Sequence, residues 1–190
     1  MSEKSIPSFE ELATELSPQL TAYLARMTGN AADADDLLQE TLLRVARALP
    51  GFEGRSSPKS WAYRIATNVA IDFLRRTRKS SFSEFGESED RSEVDEEDRM
   101  FLDEMNDCVR GVIDGLPPDY RAALILFNLQ GNSVAETAKI LDISVAAAKV
   151  RIHRAKVRLK EALNRKCDFY TSNEGNLRCD RKKPGDSGCS

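Results

Sequence analysis

The stretch SFSEFGESEDRSEVDEEDR, residues 81–99, is dense in Ser, Glu and Asp and holds only three large apolar side chains, Phe82, Phe85 and Val94. A segment of that composition cannot bury enough apolar surface to offset the entropy of ordering it, and no helical or strand period runs through it. It reads as a flexible, solvated, acidic linker over residues 80–99. The consequence is architectural: the apolar segments on either side are read as two small domains, each with a core of roughly 70 residues, rather than one.

Before the linker, apolar positions recur at helical spacing. Phe9, Leu12, Leu16, Leu20, Tyr23, Leu24 and Met27 step by three and four, and Gly29-Asn30 closes that helix. A second helix is predicted to begin near Asp33 to Asp36, where carboxylates suit the exposed amides of a first turn. It runs through Leu37, Leu38, Thr41, Leu42, Val45 and Leu49 to Pro50-Gly51. The loop GFEGRSSPKS leads into a third helix, SWAYRIATNVAIDFLRRTRK, with Trp61, Ile65, Val69 and Phe73 on one broad face and Arg75, Arg76, Arg78 and Lys79 in its last turns. After the linker, MFLDEMNDCVRGVIDGL predicts a helix that packs Met100, Phe101, Met105, Val109, Val112 and Ile113 and is interrupted by Leu116-Pro117-Pro118. Further helices follow over Asp119 to Leu129, Val134 to Leu141 and, after a turn at Asp142 to Ser144, about Val145 to Asn164. The fold class is therefore all-α: two small helical domains, residues 8–79 and 100–166, joined by the acidic linker, with a tail over 167–190.

Ala138, with Val134 before it and Ile143 and Val150 after it, has the spacing that lets two short helices pack across a brief turn, a helix-turn-helix. The chain's formal net charge is -3, yet its last helix carries Lys149, Arg151, Arg154, Lys156, Arg158, Lys160, Arg165 and Lys166 against Glu161. Local potential, not net charge, governs recognition, and such a helix attracts phosphates. Short residues at its start, Ser144, Ala146, Ala147 and Ala148, allow close approach to a groove. The competing reading is a solvated outer face, with Val150, Val157, Leu159 and Leu163 filling the core.

Composition excludes several classes. Hydrophobic residues make up 41% and charged residues 31%, as in a globular soluble protein. No apolar run is long enough to cross a bilayer and no leader stands at the start, so membrane insertion is not expected and the cytoplasm is the expected compartment. Paired catalytic carboxylates, a nucleophile with its base, a phosphate-cradling glycine loop and HExxH are all missing, and a non-enzyme is expected. Outside a secreted context, Cys108, Cys167, Cys179 and Cys189 read as reduced thiols, metal ligands or a redox site.

The segments DADDLLQETLLRVARALPGF, SWAYRIATNVAIDFLRR and LPPDYRAALILFNLQGNSVAETAKILDISVAAAKVRIHRAKVRLKEAL, in this order and separated by an acidic linker, resemble bacterial RNA polymerase sigma factors of the extracytoplasmic-function group. The resemblance covers roughly residues 8–165. It implies a dissociable subunit that directs core RNA polymerase to promoters and assists DNA opening. Residues 8–79 would bind core polymerase and the minus-ten element; residues 100–166 would read the minus-thirty-five element. Core polymerase, double-stranded promoter DNA and its melted non-template strand are the implied partners, with an anti-sigma factor as a further candidate. Other readings of the same helices are an operator-binding regulator that does not melt DNA and a sigma-like interaction decoy.

By position, the resemblance puts Asp35, Asp36, Gln39 and Glu40 on the polymerase-facing helix, where an acidic, hydrogen-bonding surface suits a basic helical partner. Helix capping is the plainer reading of Asp33 and Asp35. Ser56, Ser57, Lys59, Arg64, Asn68, Asp72, Arg75 and Arg76 are assigned to the minus-ten DNA, where polar groups can capture unstacked bases and arginines can hold the backbone. Trp61, among apolar companions, is better read as core than as a base platform. Ser144, Ala147, Lys149, Arg151, His153 and Arg154 are assigned to the minus-thirty-five DNA, although that set exceeds one helical face.

The tail KCDFYTSNEGNLRCDRKKPGDSGCS departs from a minimal member of the group, some of which carry cysteine-rich tails that respond to metals or redox state. No cofactor is required. Cys108, His153, Cys167 and Cys179 form a candidate set for zinc or another thiophilic metal, with copper(I) and reversible disulfide formation as alternatives. The spacing of Cys167 and Cys179 is not that of a compact CxxC knuckle, but Asn173 to Asn176 looks like a turn that returns the chain on itself. Cys108 as a small buried side chain and unligated tail thiols are the alternative.

Overall fold

The computed structural model describes residues 7–80, 109–171 and 177–181. The acidic linker, Met100 to Asp107, Cys108, the turn at Asn173 to Asn176 and Cys189 lie outside the described residues.

Helix α1 (Phe9–Thr28) starts at a capping box in which Ser8 accepts the Glu11 N–H and the Glu11 carboxylate accepts the Ser8 N–H at 2.8 Å. It ends where Gly29 takes a left-handed φ of 74°. Helix α2 (Ala31–Ala48) begins earlier than its acidic residues suggest. The Asn30 side chain accepts the Ala32 and Asp33 amides, so Asn30 is the cap and Asp35 and Asp36 are released from that task. A short 3₁₀ turn (Leu49–Gly51) halts it, and α3 (Pro58–Ser80) follows. Residues 109–115 form α4, α5 spans Pro118–Leu124, and a π-helical turn continues it over Ile125–Leu129. Helices α6 (Val134–Leu141) and α7 (Val145–Lys166) meet across a tight turn. Asp142 holds the left-handed position there at φ 55°; a short polar side chain tolerates it.

The all-α class holds through Lys166, with one addition that the helical period did not announce. Strands β1 (Cys167–Thr171) and β2 (Leu177–Arg181) pair antiparallel, with Cys167 opposite Arg181 and Phe169 opposite Cys179.

The apolar core does not divide at the linker. Leu16, Leu20, Tyr23, Leu24, Met27, Ala66, Val69 and Ala70 of the first half share one cluster with Ala122, Ile125, Leu126 and Ile140 of the second. A smaller cluster of Leu116, Leu124 and Ala155 belongs to the second half alone. Helix α7 is rotated from the expected phase: Ala148, Ile152 and Ala155 are buried, while Val150 is 48% and Val157 40% exposed. The competing reading, which gave those two valines to the core, is therefore corrected. Small Ala148 and Ala155 let α7 approach its neighbours closely, and inward positions stepping by four and three turn Val150 and Val157 away.

Candidate nucleic-acid interface

Three exposed surfaces carry the polar residues singled out in the sequence. On α2, burial of Ala34, Leu37, Thr41 and Val45 turns Asp35, Asp36 and Gln39 to solvent. Glu40 is half-buried, and its Oε1 accepts from Arg44 Nε at 2.7 Å. Leu43 sits on the same outward side and is 52% exposed. Sequence reading passed over Leu43, though burial of Thr41 and Val45 requires the residue between them to face outward.

The second surface is a ridge on α3. Arg64, Asn68, Asp72, Arg75 and Arg76 are all exposed, at steps of four, four, three and one, which align on one side of a helix over roughly 18 Å of rise. Arg76 Nε donates to the Asp72 carbonyl at 3.2 Å. Behind the ridge, the buried Tyr23 hydroxyl and Thr67 Oγ1 lie 2.9 Å apart, and burial raises the Tyr23 pKa strongly, so the phenol stays neutral. At the start of α3, Ser57 accepts the Ser60 N–H at 3.1 Å; its hydroxyl is thus committed to the cap. Ser56 is half-buried and Lys59 exposed, its Nζ 6.0 Å from the Tyr63 ring centre. Trp61 packs on Phe52 with ring centres 4.9 Å apart and against the core, in keeping with its reading as a packing residue.

The third surface is α7. Ser144 accepts the Ala147 N–H at 3.1 Å, capping the helix. Ala147, Arg151 and Arg154 lie along one side and Lys149 and His153 along another, with exposed Val150 between them. The six assigned residues thus divide between two ridges. Val150, which sequence reading treated only as a packing residue, occupies the outward centre.

The two halves meet through charge as well as apolar packing. Arg64 Nη2 lies 2.6 Å from Asp142 Oδ2, Arg75 Nη2 lies 2.9 Å from Asp119 Oδ2, and Arg151 Nη1 lies 3.6 Å from Asp119 Oδ1. Arg121, 4% exposed, donates to the Met27 carbonyl at 2.6 Å, pairs with Asp114 Oδ1 at 3.1 Å and also donates to the Asp114 carbonyl.

Two members of the candidate metal set are kept apart by α7. His153 is exposed on α7, and Cys167 is buried just past its end, fourteen residues on; along a continuous helix that is about 21 Å, far beyond the span of one ion's ligands. His153 and Cys167 therefore cannot share a metal, and among the described residues no group of three or more His, Cys, Asp or Glu is placed to hold one. Cys167 and Cys179 occupy paired strands two register positions apart.

Comparison with known proteins identifies the family of the chain. Residues 12–80 match the family model for Sigma-70 region 2, and residues 106–159 the model for Sigma-70, region 4. The chain is 32% identical over 175 residues to RNA polymerase sigma factor SigZ of Bacillus subtilis, covering 90% of this chain and 95% of that one. It is 30% identical over 162 residues to the ECF RNA polymerase sigma factor SigE of Mycolicibacterium smegmatis, covering 84% of this chain but only 63% of that longer protein. Among solved structures, it resembles the sigma factor RpoE in complex with the anti-sigma factor NepR from Bartonella quintana, with a TM-score of 0.60, 26% identity, and coverage of 82% and 96%.

Proposed function

The chain belongs to the extracytoplasmic-function group of sigma-70 factors, and from that premise we infer how its surfaces divide the work of directing core RNA polymerase to promoters. Residues 8–79 engage core polymerase and the minus-ten element; residues 100–166 engage the minus-thirty-five element. The acidic α2 face of Asp35, Asp36, Gln39 and Glu40 meets a basic helical surface of polymerase, with Leu43 as its apolar centre.

The observation that carries the DNA assignment is the α3 ridge, which interleaves cations with amide and carboxylate groups on one exposed side. Arginines hold phosphates, while Asn68 and Asp72 offer donors and acceptors to bases leaving the stack. Lys59 flanks the ridge at the helix start, with Ser56 and Ser57 shaping the loop. On α7, Arg151 and Arg154 serve phosphates or base edges, and Val150 and Ala147 offer apolar contact of the kind a thymine methyl accepts. Lys149 and His153, on the neighbouring ridge, serve the backbone. The factor brings no reaction chemistry of its own. An anti-sigma factor is a candidate partner by analogy with the solved relative. Among the described residues no helix is long and apolar enough to cross a membrane, and a place beside polymerase in the cytoplasm suits the role. Metal at Cys108, Cys167 or Cys179 is no part of this reading.

Reconstitution with core polymerase on supercoiled genomic fragments, followed by sequencing of transcript starts, tests the function. Defined 5′ ends sharing upstream elements are expected; DNA binding without transcripts would overturn it. Arg75→Ala with Arg76→Ala should reduce permanganate reactivity of the minus-ten thymines by about tenfold, the loss of roughly 1.4 kcal/mol of backbone contact. Unchanged reactivity would remove both arginines from the site.

A further inference from the structure

Lys156 and Arg158 belong to the cationic run of α7, yet each lies over an aromatic ring of the segment that packs against it. Lys156 Nζ is 4.7 Å from the centre of the Phe127 ring, and the Arg158 guanidinium carbon is 4.6 Å from the centre of the Tyr120 ring. Tyr120 stands in α5 and Phe127 in the π-helical turn that continues it, and both residues are half-buried. At these distances a cation is drawn to the negative face of the ring, so both head groups already have a partner.

Their directions around α7 make the two contacts complementary. Each residue of an α-helix turns the side-chain direction by about 100°. Ala155, fully buried and clustered with Leu116 and Leu124, marks the inward side. Lys156 then points about 100° to one side of it and Arg158 about 60° to the other. Turning α7 about its axis in either direction therefore pulls one cation off its ring. Ala148 and Ala155, both fully buried, allow close approach but are too small to form a ridge that resists such a turn. Rotation matters because the outward side carries two ridges. Arg158 continues the ridge of Ala147, Arg151 and Arg154 by one turn, and Lys156 continues that of Lys149 and His153.

We propose that Lys156 and Arg158 are positioning residues: stacked on Phe127 and Tyr120, they fix the rotation of α7, present Val150 to the groove and leave phosphate contact to Lys149, Arg151 and Arg154. The inference rests on the DNA-facing reading of α7.

The test uses holoenzyme reconstituted with core polymerase and two fluorescein-labelled versions of a promoter mapped by its transcript start, one with the upstream element intact and one with it scrambled, titrated over a salt series. Lys149→Gln, which removes a phosphate contact, is expected to flatten the slope of log affinity against log salt by about 0.9, whereas Lys156→Gln and Arg158→Gln should each change it by less than about 0.3. Those two substitutions should instead lower the preference for the intact element about fivefold. Lys156→Arg, which also stacks, should retain the preference. Tyr120→Leu with Phe127→Leu leaves every cation in place and should lose the preference as well. A slope loss of about 0.9 from Lys156→Gln or Arg158→Gln, or a preference that survives removal of the rings, would overturn the proposal. The slope measurement changes only exposed side chains and decides the matter even where the ring variants fold poorly. Failure of the underlying DNA reading registers separately: Lys149→Gln with Arg154→Gln would then keep both the slope and the preference of the wild type.

Discussion

At the scale of single residues, Arg121 and Gly29 show how one position can answer to two halves of a chain. Arg121 satisfies a carbonyl left open at the end of α1 and pairs with Asp114, whose carboxyl is pushed up by burial and drawn back by Arg121 and Arg110. Replacing Arg121 by Met strands the Asp114 carboxylate and the Met27 carbonyl together. A loss of about 3 kcal/mol is expected in urea unfolding, and a loss below about 1 would show that water replaces the guanidinium. Gly29 is constrained twice, by its left-handed φ and by Asp114, whose Oδ2 would lie 2.8 Å from an added Cβ. Gly29→Ala should therefore cost more than the roughly 1 kcal/mol of the backbone conformation alone. Asp114→Ser in the same chain should recover the excess, measured as a double-mutant cycle.

Elements are governed by phase and caps. The α7 sequence offers apolar residues on more than one side, and its true inward face was set by alanines whose small size is an advantage only beside a close neighbour. Ala148→Leu, at 0% exposure, should overpack that contact and cost about 2 kcal/mol. Val150→Ser should leave the melting temperature within about 2 °C but weaken binding to a minus-thirty-five duplex about fivefold, the loss of roughly 1 kcal/mol of apolar base contact. Equal binding would return Val150 to plain surface. Helix α6 depends on its capping box: hydrogen bonding from the Ser133 side chain and backbone holds Glu136 below the ordinary carboxylate value of 4.5. A depressed acid stabilises the fold at pH above its free value and ceases to do so as pH falls through the folded value. The first turn of α6 should thus loosen only below about pH 4.5, seen as carboxyl-coupled shifts of the Ser133 and Glu136 amides that Glu136→Gln abolishes.

Across the whole molecule, the two halves are joined by a common core rather than merely tethered. Ile125, fully buried between them, should on replacement by Ala lose about 3 kcal/mol, and amide exchange should accelerate in both α1 and α6. Acceleration confined to α6 would show that the halves stabilise independently.

The helices up to Lys166, the helix-turn-helix and the acidic α2 face were legible in the sequence because each follows from local causes: a 3.6-residue period, a cap, a proline or a left-handed turn position. The cationic residues of α3 and α7 were legible as types for the same reason, and ordered motifs carried their family. What depended on contacts between distant residues was not legible. Asp119 and Asp142 look like ordinary surface acids until the fold brings them against Arg75, Arg151 and Arg64, and Arg121 looks like another exposed cation until it is buried against α1. His153 and Cys167 looked combinable until an unbroken helix kept them apart. Period and capping act within a few residues and are written in order along the chain. Partnership between charges depends on which faces are buried together, and only tertiary packing decides that.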